Sequence, residues 1–167
     1  MNSSGSYEVH PLNILHLTAS IGPASGGLGP VAIELTKEQR LLGHSPAIWT
    51  LDTANIVGHA AQLEGIEPAA LSTFPRFGPR QLGYSLQMEQ AAVSAKGAGY
   101  DMLHQHGIRL AMSRVTNRWR SVFRRPTVVA PHGTLEEYTL RISGQMNIHG
   151  YLVLNRFILD VTDANSD

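Results

Sequence analysis

Ser25-Gly26-Gly27-Leu28-Gly29-Pro30 stands between two runs of opposite periodicity. Ahead of it, Asn13-Ile14-Leu15-His16-Leu17-Thr18 is apolar enough for a buried parallel strand. Behind it, Val31, Ile33, Leu35, Leu41 and Leu42 recur at helical spacing and predict a helix over 31–42, closed by Gly43-His44. The glycines therefore sit where a strand hands over to a helix N-terminus. Glycine there permits positive φ and a close approach to main-chain N–H groups. Pro30 suits the first helical position, where its missing N–H removes no bond. The partial positive charge and unpaired donors of a helix start suit phosphate. Two meanings stand side by side: a loop that touches a phosphorylated ligand, through Gly26, Gly27, Leu28 and Gly29, or a long flexible connection.

Outward from this point the chain alternates. Residues 1–12 are a polar, loose lead-in, and 13–167 form one unit. A second strand is expected over 47–52, ending in Asp52, then a short helix over 56–63 and a third strand over 70–74 bracketed by Pro68 and Pro75. After a Pro/Gly-rich loop over 76–83, a helix is expected over 84–95, with Leu86, Met88, Ala91, Ala92 and Ala95 facing inward. It ends in Lys96-Gly97-Ala98-Gly99. A fourth strand over 101–107, a helix over 110–123 and a fifth strand over 127–130 follow. Helices over 134–142 and 146–159 close the series, the first capped by Thr134 with Glu137 three residues on. Strands alternating with helices make a βαβ series, hence an α/β fold: a Rossmann-like parallel sheet with helices on both faces. The usual strand order is 3-2-1-4-5. Ligands bind beyond the carboxyl ends of strands where that order reverses, between the first and fourth. The Gly-rich loop, His104-Gln105-His106-Gly107 and Pro131-His132-Gly133 converge there.

Composition narrows the chemistry. The chain has 167 residues, enough for one domain with a core, and a formal net charge of zero. That balance argues against a nucleic-acid footprint. It has no cysteine, which excludes disulfides, thiolate catalysis and cysteine-held zinc. The polar N-terminus does not read as a secretory signal, and no run is long enough for a membrane span. A cytoplasmic location is the expectation.

Among residues that could carry chemistry, His132 ends a strand just before a helix, where imidazole can bond a sugar or phosphate oxygen or act as a base. His104 and His106 alternate along a strand and share a face. They could hold a metal only with a third ligand, in principle His132, and no bound metal is expected. The plainer expectation is a partly buried His104 and a His106 that lines the crevice with Gly107 and Gly133. Glu136 and Glu137 serve the helix dipole by default, with sugar binding by Glu136 the minority role. Arg114, Arg118, Arg120, Arg124 and Arg125 read as a solvated face. Gly27-Leu28-Gly29-Pro30-Val31-Ala32 fits G-x-G-x-x-A, and Asp52 stands where a dinucleotide fold places its ribose-binding acid, so a dinucleotide-binding oxidoreductase is an alternative. The intervening residues 19–26 speak against it, since that fingerprint begins directly after the strand.

Ile14-Leu15-His16-Leu17, Gly26-Gly27-Leu28-Gly29-Pro30, Asp101-Met102-Leu103-His104-Gln105-His106-Gly107 and Pro131-His132-Gly133-Thr134-Leu135-Glu136 together resemble the N-terminal domain of family 4 glycosyltransferases of the GT-B fold. The resemblance spans roughly 13–143 and, weakly, on to 163, most specifically the turn at 131–136. It implies retaining transfer of a sugar from a nucleotide-sugar donor, by metal-free chemistry and with no cofactor beyond that co-substrate. The Gly-rich loop would reach the donor's phosphates, His132 would lie against the donor sugar, and a glycan, lipid or small-molecule acceptor would sit in this domain. A peripheral membrane contact is compatible with such acceptors. The donor-gripping C-terminal domain with its paired glutamates lies outside the chain, and Gln145-Met146-Asn147-Ile148 replaces the usual lysine-rich helix start. A chain cut short of its donor domain is the expectation. A non-catalytic remnant or acceptor-binding domain is a further alternative.

Overall fold

The computed structural model describes residues 10–58, 65–78, 83–108 and 110–132. The helices expected over 134–142 and 146–159, together with Gly133, Thr134, Glu136 and Glu137, lie outside the described residues. Five parallel strands form one sheet in the order β3-β2-β1-β4-β5. They are β1 (Asn13–Thr18), β2 (Ser45–Thr50), β3 (Leu71–Thr73), β4 (Met102–His106) and β5 (Thr127–Ala130). The helices are α1 (Leu28–Leu41), α2 (54–58), α3 (Leu86–Ala92), α4 (Ala95–Ala98) and α5 (Leu110–Phe123). The strand order and the bounds of α5 and β5 are those expected from the sequence. Among the described residues no helix is long and apolar enough to cross a membrane.

Alternation along the strands divides the core in two. Leu15, Leu17, Trp49 and Leu103 point to one face, where Met88, Ala92, Met112, Val115 and Trp119 of α3 and α5 pack against them. On the other face Ile48 joins Ile21, Ile33, Val57, Ile66 and Ala70 around α1 and α2. Trp49 and Trp119 are wholly buried, so both aromatic anchors serve the first face.

Several boundaries differ from the expected ones. α1 starts at Leu28, not Val31, so Gly29 and Pro30 lie inside its first turn. Pro30 occupies the third helical position, still among the N–H groups that lack an intrahelical partner. Gly43 closes α1 as expected, at φ +86°, with the Gly43 and His44 amides donating to Arg40 and Gln39 carbonyls. β2 spans 45–50, which leaves Asp52 in the turn beyond it. β3 is shortened at its start by a 3-10 turn over Pro68–Ala70. The helix expected over 84–95 starts only after Ser85, which caps α3, and breaks at Ser94, which caps α4. Ser85 accepts the Met88 amide, and Ser94 accepts the Lys96 amide.

The inward face of α3 also differs. Leu86 is half exposed, while Glu89 is buried. Glu89 Oε1 accepts hydrogen bonds from Arg114 Nε at 2.9 Å and Arg118 Nη1 at 2.6 Å, i and i+4 on α5. Arg125 donates to the Ala98 and Tyr100 carbonyls. Arg114 and Arg118 are exposed, as expected of a solvated face, but with Arg125 they also fasten α3 and α4 to α5 and its end. Burial alone would raise the Glu89 carboxyl, but hydrogen bonds from Arg118 and Arg114 outweigh it and hold it below the ordinary value of 4.5. Its folded pKa is depressed, so ionised Glu89 contributes stability above about pH 4.5 that is lost as the pH falls further. Glu89→Gln is expected to lower stability at neutral pH and to flatten its decline below that point. Urea unfolding across pH 3–7 reads both effects.

Candidate functional site

The register aligns Thr18 of β1 with His106 of β4, and His106 with Ala130 of β5. The carboxyl ends of these strands therefore finish level, and the three loops leave from one edge of the sheet. Gly107 joins them. Its amide donates to the Ala130 carbonyl, and a Cβ placed on it would touch Leu28 of α1 at 3.4 Å. Gly107 needs to be glycine on a second count, its φ of +77°.

The loop between β1 and α1 is held from beneath. The Asp52 carboxylate accepts the Ile21 amide at 2.6 Å, the Gly22 amide at 3.3 Å and the Thr50 hydroxyl at 3.2 Å. The chain then makes a 3-10 turn over Pro23–Ser25 before α1 begins. Dinucleotide binding of the usual kind needs a tight turn directly after β1 and an acid free to meet a ribose. The turn is absent, and Asp52 is committed to the loop.

The four residues assigned to phosphate separate into two roles. A Cβ on Gly26 or Gly27 would meet no atom within 4 Å, so this part of the loop faces open space. A Cβ on Gly29 would fall 2.3 Å from Ser25 Oγ and 2.9 Å from Ile21 Cα and O. Gly29 lets the first turn of α1 press against its own loop. Leu28 begins the helix and packs its side chain toward Gly107.

Histidines fill the neighbouring space. His16 of β1 and His104 and His106 of β4 share the face on which α1 packs. The His104 and His106 rings stack at 4.3 Å, and both lie beside His16. His16 Nε2 meets Gln39 Oε1 of α1 at 2.7 Å, and His16 Nδ1 meets His106 Nε2 at 2.9 Å. His106 Nδ1 meets His132 Nε2 at 3.1 Å, with those rings stacked at 5.3 Å. His106 is therefore buried under the crevice, not on its wall. His132 is exposed and sits at φ +49°, a left-handed backbone uncommon outside glycine. Glu136 and Gly133, the other expected crevice residues, lie outside the described residues.

One nitrogen from each of His16, His104 and His106 lies within 4.8 Å of the others, so among the described residues these three, rather than His104, His106 and His132, form the trio able to surround a metal. His16 and His106 nitrogens are bonded to each other, while His104 Nε2 is buried without a partner. Neither His16 nor Gln39 was singled out from the sequence. The available signal was a histidine in mid-strand among Ile14, Leu15 and Leu17, since a buried imidazole needs partners.

Burial pushes the His106 imidazole down to about 3, with His104, His16 and His132 adding to the effect. Burial, then the charges of His16 and His132, takes His104 to about 4. Burial also lowers His16, against the raising effect of its hydrogen bond to Gln39 Oε1. All three are neutral at pH 7. The unfolded chain protonates them near 6.5, so it binds more protons than the folded one below that pH. Stability is expected to fall as the pH drops from about 6.5 toward 4, a window above that of Glu89. His104→Phe, which keeps a ring in the stack, should make this fall shallower in urea midpoints taken at half-unit pH steps.

A parallel sheet of this order, with the loops after β1, β4 and β5 gathered at one edge, defines a Rossmann-like α/β domain. The profile of the glycosyl transferase 4-like domain matches residues 26–164, and the chain belongs to that family. No curated protein and no solved structure gives a significant match to it.

Proposed function

We propose that this domain forms the acceptor-side half of a retaining glycosyltransferase that takes a sugar from a nucleotide-sugar donor without a metal. The family match supports the transferase class. The observation that carries the proposal is His132, exposed at the end of β5 in a left-handed backbone and hydrogen-bonded from behind by His106. Departure of a nucleoside diphosphate builds negative charge on its phosphate. The unpaired amides at the start of α1, beside the open surface of Gly26 and Gly27, suit that charge. His132 would meet the donor sugar, with the acceptor in the same crevice. The cationic groups that complete charge stabilisation would belong to a second domain closing over this one.

Gly27→Val tests the phosphate path with little risk to the fold. Gly27 has φ −73° and open space at its Cβ, so valine fits its backbone. Loss of glycine from the helix cap costs under about 1 kcal/mol. In a protein joining this domain to a donor-holding partner, the valine is expected to weaken donor binding roughly tenfold or more, about 1.4 kcal/mol. Titration with a panel of nucleotide sugars reads this, with circular dichroism to check folding. Unchanged donor affinity in the folded variant would remove the loop from the site.

A further inference from the structure

Gln39, His16, His106 and His132 form one continuous file from α1 across the sheet to the crevice, with separations of 2.7, 2.9 and 3.1 Å. An amide oxygen carries no proton, so the His16 nitrogen facing Gln39 Oε1 must donate. A neutral imidazole has one N–H. His16 Nδ1 is therefore an acceptor, and the His106 nitrogen opposite it, Nε2, must hold a proton. The same step repeats once more. His106 Nδ1 accepts and His132 Nε2 donates, so the neutral tautomer of His132 keeps its lone pair on Nδ1. The sequence of protons is set at its far end by one amide. The burial of His16 and His106 keeps both rings in the neutral form that this requires.

We propose that Gln39, His16 and His106 act as positioning residues, a relay that fixes the tautomer and ring plane of His132 so that it meets its ligand with an unprotonated Nδ1. Such a nitrogen accepts a hydrogen bond from a hydroxyl and does not donate one to an oxyanion. The ligand class this selects is a sugar hydroxyl. That last step rests on the proposed function, while the relay itself does not. His132 gains from such support because it is exposed and has an uncommon backbone conformation. His106 holds it by a hydrogen bond and by a ring stacked at an interplanar angle of 19°.

The test is nitrogen NMR on the full chain with labelled histidine, without donor or acceptor. In the parent, His16, His106 and His132 are expected to carry their protons on Nε2, with the first two protons exchanging slowly. Gln39→Glu keeps an oxygen acceptor and should retain the pattern at His132. Gln39→Leu removes the anchor. It should shift the His132 ring nitrogens toward a mixture of tautomers, although two rings separate the substitution from His132. Independent structural bonds would leave His132 unmoved by that change. Unaltered His132 resonances in folded Gln39→Leu would overturn the relay. A proton on Nδ1 in place of Nε2 of neutral His132 in the parent would do so even if that variant fails to fold. Stoichiometric zinc lost in His104→Ala would also overturn it, since metal on His16 and His106 replaces their bond. No measurement here uses transfer, so inactivity of the domain as a transferase leaves the relay standing, and the reverse holds too.

Discussion

In a protein that joins this domain to a donor-holding partner, His132→Ala is expected to lower turnover by roughly 10²–10³ while leaving donor affinity close to the parent value. His132 stands at the end of β5, and the His106 hydrogen bond fixes its ring from the buried side. Both supports are rigid, as a contact made at the reacting sugar requires. An interaction stronger in the transition state than in the bound donor appears in the rate and not in the binding constant. The φ of +49° introduces a second effect, because alanine tolerates that backbone poorly. His132→Asn separates the two, since asparagine accepts left-handed geometry far better. The expected result is the same rate loss for both variants and a larger stability loss for alanine. Steady-state rates, donor titration and urea midpoints on each variant give the comparison. Near-parent turnover in folded His132→Asn would make the histidine structural and withdraw it from the site.

The second large effect falls far from the crevice. Gly97→Val is expected to destabilise the domain by about 3 kcal/mol or more, a large part of the stability of a domain this size. A Cβ on Gly97 would lie 1.9 Å from the Ala92 carbonyl oxygen and 2.6 Å from its carbon. Those atoms are backbone at the end of α3, so no rotamer change can clear them. Gly97 also supplies the carbonyl that accepts Trp119 Nε1 at 2.9 Å, and Trp119 is wholly buried beneath α3. Pushing α4 away from α3 thus disturbs both an overlap and the hydrogen bond of a core tryptophan. Gly99→Ala is the control. Its Cβ would find the Lys96 carbonyl at 3.5 Å, an ordinary contact, and its φ of −71° suits any residue. Thermal and urea unfolding should show a small change there and a large one at Gly97.

The contrast between these glycines shows where sequence reading ends. Lys96-Gly97-Ala98-Gly99 reads as a helix stop, with either glycine able to serve. Only the approach of α4 to α3 distinguishes Gly97. Gly26, Gly27 and Gly29 divide in the same way. All three stand in one glycine-rich run, but only Gly29 is pressed against Ile21 and Ser25.

The arrangement of the sheet was determined by the sequence itself. Short apolar runs alternate with helical periods, and right-handed crossovers leave few topologies, of which the usual order, 3-2-1-4-5, is the one the structure has. Hence the gathering of the loops after β1, β4 and β5 at one edge was legible, because topology alone puts them there. The end of α1 was legible too, since Gly43 marks it through its own backbone. Tertiary structure decided what local pattern cannot encode. Glu89 sits inward among apolar positions only because Arg114 and Arg118 of a later helix reach it. Asp52 ties down a loop rather than meeting a ribose because its partners are amides 30 and 31 residues away. His16, 90 residues before His106, joins the histidine cluster by pairing across β1 and β4. Periodicity is a property of neighbours in the chain. The partner of a buried charge or ring is a property of neighbours in space, and these exist only once the sheet has formed.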